Sequence, residues 1–179
     1  MTLSSHKKGI VYWFTGLAGA GKTTLGKLFY LELNKKNKSS VFLDGDELRD
    51  LFDQKSGYSV ADRKKISFRN ARLCKLLSDQ GIDVVCATIS MFKECQDWNR
   101  KNIARFKEIY IKASIEVLRG RDKKKIYSRS LRGKMKNVMG VDLPFDEPKN
   151  PDVIIISDGK RSPMKILQQD LLPLLSRLN

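Results

Sequence analysis

At 179 residues the chain has the length of one domain able to bury a sizeable apolar core. Its 41% hydrophobic and 31% charged residues exclude a disordered or fibrous protein, and no apolar run approaches the roughly 20 residues of a transmembrane helix, so the cytoplasm is the expected compartment. Lysine and arginine total 35 against 20 aspartate and glutamate, and this net charge of +15 calls for an acidic partner: nucleic acid, an anionic membrane or a polyphosphate substrate.

In chain order, the polar start "MTLSSHKKG" has no apolar signal core and holds the only histidine, His6, which excludes a His-based triad or zinc site. Apolar, β-branched runs follow at "GIVYWFT", "SSVFLDGD", "GIDVVCATIS", "FKEIYIKAS" and "PDVIIIS", and their continuity predicts strands buried on both faces. Between them, residues 22–36, 61–80, 92–105 and 163–178 carry helical period, with Leu73, Leu76 and Leu77 sharing one face. Strand and helix alternate, the pattern of a parallel α/β sheet. The three cysteines, Cys74, Cys86 and Cys95, lack CxxC spacing and read as reduced structural thiols. No repeat or linker divides the chain, so residues 1–179 are expected to form one domain. Its exception is the basic stretch "RGRDKKKIYSRSLRGKMKN", a solvated segment or a lid over bound phosphates at about residues 119–142.

Residues Gly16-Leu17-Ala18-Gly19-Ala20-Gly21-Lys22-Thr23 match G-x-x-x-x-G-K-[ST] on the turn between the first strand and first helix. Gly16, Gly19, Ala20, Gly21 and Thr24 would cradle a nucleoside triphosphate with backbone N–H groups, Lys22 would reach the β and γ phosphates, and Thr23 would ligate Mg²⁺. The motif predicts a P-loop three-layer sandwich around a five-stranded parallel sheet. No N-K-x-D element reads guanine, and the third strand carries no terminal aspartate, which favours a small-molecule kinase over a GTPase or motor. Asp44 and Asp46 instead end the second strand, with Gly45 allowing the turn between them. Asp46 would accept the acceptor hydroxyl's proton or help hold Mg²⁺, and Arg49 would bind a substrate phosphate.

With these residues in place the chain resembles the adenylylsulfate kinase family, P-loop enzymes that transfer the γ-phosphate of ATP to the ribose 3′-hydroxyl of adenylyl sulfate. The likeness covers nearly the whole chain and rests on "GLAGAGKTT", "FLDGDELR", "GYSVADR", "ISMF", "RDKKKIY" and "MGVDLPFDEPKNPD" in the family's order. It implies ATP and Mg²⁺, Asp46 beside the attacking hydroxyl with Asp44 in support, and Arg49 and Arg63 facing the substrate nucleotide. Tyr58, in place of the family's usual Phe, would stack on the acceptor base. Ser90 matches a serine sometimes assigned as a phosphorylated intermediate; direct in-line transfer needs no such nucleophile. Arg121 and Asp122 begin the family's lid motif, with Arg121 placed to stack on the adenine of ATP. Lys123, Lys124, Lys125, Arg129, Arg132, Lys134 and Lys136 would steer anions. The resemblance points to a homodimer.

The departures bear on the acceptor. Ile66 and Phe68 stand where the family usually has Asn and Arg, Val138 replaces the Phe of Phe-Thr-Gly-Ile-Asp while Asp142 is kept, and the family's Ile-Ser-Pro-Tyr becomes Ile89-Ser90-Met91-Phe92. This altered pocket suggests cytidine diphosphoramidate, which kinases similar to this family phosphorylate in bacterial capsule pathways; unchanged adenylyl sulfate specificity stays open beside it. Two other classes compete more distantly. A nucleic-acid-binding NTPase would use the +15 charge, but no RNA- or DNA-binding module is present and Trp98 and Phe106 read as core. A regulatory protein that had lost catalysis would not keep Lys22, Thr23, Asp44 and Asp46 together.

Overall fold

The computed structural model describes residues 7–37, 39–52, 57–122 and 125–176. His6, Lys123, Lys124 and the last two positions of the helix predicted at 163–178 lie outside them. The order is β1 (Val11–Thr15), α1 (Lys22–Lys36), β2 (Ser40–Asp44), α2 (Gly45–Phe52), α3 (Val60–Asp79), β3 (Asp83–Ala87), α4 (Lys93–Asn102) and β4 (Phe106–Lys112). Then come α5 (Ile115–Arg121), α6 (Ile126–Leu131) and β5 (Val153–Ile156). A last helical stretch joins α7 (Pro163–Ile166), a π-turn over Leu167–Leu171 and α8 (Leu172–Ser176). Pro173 has no N–H to bond back one turn, and the ladder widens just ahead of it.

The five strands form one parallel sheet in the order β2-β3-β1-β4-β5. Every residue of β1 (VYWFT) and β3 (DVVCA) is buried, as a strand covered on both faces requires. The same expectation fails at β5. As an edge strand it buries Ile155 and leaves Ile154 and Ile156 exposed. α1 and the α7–α8 stretch pack together on one side, while α3 and α4 pack against each other. Phe29 of α1 meets the Tyr12 ring edge-on at 4.7 Å between centroids, tying helix to central strand.

Among its described residues the basic stretch is helical in its first half and exposed over residues 131–134. It takes in the end of α5 and the whole of α6, and Tyr127 within it is buried in the core. The chain runs from β1 out to β2 and back to β3 on one side of β1, then crosses to β4 and β5 on the other, and this reversal beside β1 opens a crevice at the carboxyl ends of the strands.

Candidate active site

The crevice is a cleft of about 710 Å³ running from the α2–α3 side, across the phosphate loop, to α5, α6 and the start of α7. Gly16 begins the loop at φ 148°, and a Cβ there would stand 2.4 Å from the Ile111 carbonyl oxygen, so the turn can approach β4 only without a side chain. Gly19, Ala20, Gly21, Lys22, Thr23 and Thr24 all line the cleft. Lys22 Nζ donates to the Leu17 carbonyl at 2.8 Å, arching its side chain over the loop it will serve.

Asp44 links this loop to β2. Thr23 Oγ1 donates to Asp44 Oδ2 at 2.6 Å, and the Asp46 N–H donates to Asp44 Oδ1 at 2.8 Å. Both oxygens of a buried carboxylate thus hold the P-loop helix and the start of α2 in one geometry. Gly45, between the two aspartates, is needed for packing rather than for an unusual turn. A Cβ there would come within 3.2 Å of the Ala87 carbonyl oxygen and 3.0 Å of Thr88 Oγ1.

Beyond Asp46 the cleft is walled by Arg49, Arg63, Ile66 and Ile89. Arg63 sits three residues before Ile66 on one face of α3, whose start is fixed by a capping box: the Ser59 hydroxyl accepts from the Asp62 N–H, and Asp62 accepts from the Ser59 N–H. Replacing this cap by Ser59→Ala is expected to cost about 1 kcal/mol of stability, read in chemical denaturation. Arg49 lies 3.9 Å and Arg63 5.5 Å from the centre of the exposed Tyr58 ring. Burial and the Arg49 charge push the Arg63 pKa down, so two guanidinium groups crowd one ring at a mouth that favours an anion.

Other predicted site residues fall outside the cleft wall. Phe68 packs edge-on against Trp98, centroids 6.3 Å apart, because two residues beyond Ile66 is about 200° around a helix. Val138 is buried in the core, and its carbonyl accepts from Val141, Asp142 and Leu143. Neither Phe68 nor Val138 lines the cleft, contrary to the expectation from their motif positions. Asp142 turns its carboxylate to the N–H groups of Asn137 and Val138, and the Asn137 carbonyl accepts from Arg63 Nη2 at 2.7 Å. It shapes the turn behind Arg63. Ser90 is buried beside Cys95, whose thiol burial pushes up to about 12.

At the opposite end, Arg121 Nη1 donates to Ser157 Oγ at 2.8 Å and its guanidinium lies beside Gly159. Arg161, held by Asp170 at 2.7 Å, also lines this end, as do Tyr127 and Ser157. Sequence reasoning missed these last three. For Ser157 the available signal was its place just after the carboxyl end of β5, the edge where α/β sheets place their ligands and where Thr88 of the cleft wall also follows β3; Tyr127 and Arg161 carried no such signal.

A parallel sheet with a P-loop against a strand-end carboxylate, opening on a second anion-favouring mouth, is the arrangement of a P-loop phosphotransferase. The model of the family described as adenylylsulphate kinase matches residues 8–156, and the chain belongs to that family. It is 42% identical over 145 residues to the cytidine diphosphoramidate kinase of Campylobacter jejuni, covering 81% of this chain and 84% of that one. With the adenylyl-sulfate kinase of Thermodesulfovibrio yellowstonii it shares 37% over 171 residues, 94% of this chain and 84% of that one. Its fold superposes on the Mycobacterium tuberculosis APS kinase solved with AMPPNP and APS at TM-score 0.85, with 32% identity over 94% of this chain and 98% of that one. Among the described residues, no helix is long and apolar enough to cross a membrane.

Proposed function

We propose that this chain transfers the γ-phosphate of ATP to the ribose 3′-hydroxyl of cytidine diphosphoramidate. The reading rests on Ile66, which lines the acceptor end of the cleft where the family usually places an Asn amide, and it is supported by the likeness to the Campylobacter jejuni enzyme. An apolar wall there removes a hydrogen bond that a purine acceptor would otherwise make, a difference of about 1 kcal/mol.

In this reading the P-loop N–H groups and Lys22 hold the β and γ phosphates, and Arg121 lies on the adenine side. Thr23 and Asp44, joined at 2.6 Å, are hard oxygen donors suited to Mg²⁺. No cluster of three or more His, Cys, Asp or Glu exists among the described residues, which fits an ion that takes few protein ligands and completes its shell with phosphate and water. Bound there, Mg²⁺ would neutralise charge on the transferring phosphate. Asp46 faces the acceptor side and takes the proton of the 3′-hydroxyl as its oxygen bonds to the γ-phosphorus and the bond to ADP breaks. Arg49 and Arg63 hold the acceptor's anionic part, and Tyr58 offers a ring for its base.

The test is Mg·ATP-dependent transfer, read by mass spectrometry, with cytidine diphosphoramidate and adenylyl sulfate as parallel acceptors. Preferred turnover of the cytidine compound is the expected result. Preferred turnover of adenylyl sulfate would assign this chain to sulfate activation and make Ile66 a tolerated change. In the variant Ile66→Asn, kcat/KM for adenylyl sulfate is expected to rise by about fivefold to tenfold, the worth of one recovered hydrogen bond.

A further inference from the structure

We propose that Tyr127 and Ser157, which lie outside the phosphate-binding motif, are positioning residues that hold the loop with its N–H groups turned into the cleft. The Tyr127 hydroxyl donates to the Ala18 carbonyl at 2.8 Å, and the Ser157 hydroxyl donates to the Ala20 carbonyl at 2.8 Å. A trans peptide points its C=O and the next residue's N–H in opposite directions. Drawing the Ala18 and Ala20 carbonyls towards α6 and the end of β5 therefore turns the Gly19 and Gly21 N–H groups the other way, to where phosphate oxygens would lie.

Such anchors matter because of what surrounds them. Ala20 stands between Gly19 at φ 77° and Gly21 at φ 107°, and glycine crosses between positive and negative φ at little cost, so an unanchored peptide here rotates easily. The anchors themselves are rigid. Tyr127 is buried and its N–H donates to Asp122 Oδ1, while the Ser157 N–H donates to the Lys112 carbonyl at 2.8 Å. Ser157 is also the middle of a chain, accepting from Arg121 Nη1 as it donates to Ala20. Burial lifts the Tyr127 phenol to about 12, so it remains a donor at any working pH. Because α5 and α6 supply Arg121 and Tyr127, the basic stretch sets the shape of the phosphate cradle as well as covering one end of it.

The experiment is ADP binding by titration calorimetry to the full chain and to Tyr127→Phe, Ser157→Ala and Ser157→Thr, with thermal melts to confirm folding. ADP binding by the parent tests the nucleotide site itself, and no acceptor is present, so the outcome is independent of acceptor identity. Each loss of a hydroxyl is expected to weaken ADP about tenfold, the worth of one hydrogen bond, while Ser157→Thr restores affinity because the hydroxyl returns. In turnover the loss should fall on KM for ATP and leave KM for the acceptor in place. Unchanged ADP affinity in a folded Tyr127→Phe or Ser157→Ala removes that residue's role, and a Thr variant as weak as the Ala variant overturns the hydroxyl as its cause. Should Ser157→Ala not fold, hydrogen exchange at the Gly19 N–H in Tyr127→Phe decides: faster exchange supports the brace, and an unchanged rate overturns it.

Discussion

Asp46→Asn is expected to lower kcat by about 10² to 10⁴, roughly 3–5 kcal/mol of transition-state stabilisation, while ADP affinity and melting temperature stay near those of the parent. The amide keeps the shape of the carboxylate but cannot take the acceptor's proton. Its backbone N–H, which Asp44 holds at 2.8 Å, is untouched by the change, so α2 still starts in the same place. The contrast with Asp44→Asn separates two roles. That variant disturbs the hydrogen bond to Thr23 and should weaken nucleotide binding as well as turnover, since Asp44 joins the loop to the sheet. Turnover by Asp46→Asn within about threefold of the parent would remove Asp46 as the base and leave transfer to rest on positioning and charge alone.

Gly16→Ala is expected to be the most damaging small substitution in the loop. The new Cβ would meet the Ile111 carbonyl oxygen at 2.4 Å, and that atom belongs to a central strand that cannot retreat without parting β1 from β4. Overpacking costs about 1–3 kcal/mol and the positive φ about 1 kcal/mol more, together a fall of roughly 5–15 °C in melting temperature for a chain of this length. The protein that remains folded should bind ADP poorly, because the loop must lift off β4 to relieve the clash. A melting temperature within 2 °C of the parent, with ADP affinity intact, would show that the close approach does not constrain the loop.

The phosphate side of the site was legible because its chemistry is local. Gly16 to Thr23 are contiguous, they sit at a strand-to-helix turn, and backbone N–H groups do the binding, so spacing alone identifies them. Asp44 was legible from its place at a strand's carboxyl end, although its contact with Thr23 depends on how β2 and β1 lie about the intervening β3. The acceptor side was legible only in part. Arg63 and Ile66 share a helical face and both reach the cleft, whereas Phe68 was read by its place in a motif when the helical rotation already turned it towards Trp98. Val138 and Asp142 likewise stood at motif positions, and the turn they build uses one for the core and the other for backbone N–H groups.

Sequence by itself determined the class of fold, the anion-binding loop and its kinase chemistry, because alternation of apolar strands and amphipathic helices and a run of glycines before Lys22 act over a few residues. Tertiary structure decided which side chains meet. Tyr127 reaches Ala18 across 109 residues and Ser157 reaches Ala20 across 137, contacts that no local periodicity encodes because they depend on where β4 and β5 carry the chain. It also decided how β5 is covered: VIII reads as a strand buried on both faces, but at this edge of the sheet only the face that carries Ile155 is packed, and alternation puts Ile154 and Ile156 on the face left exposed.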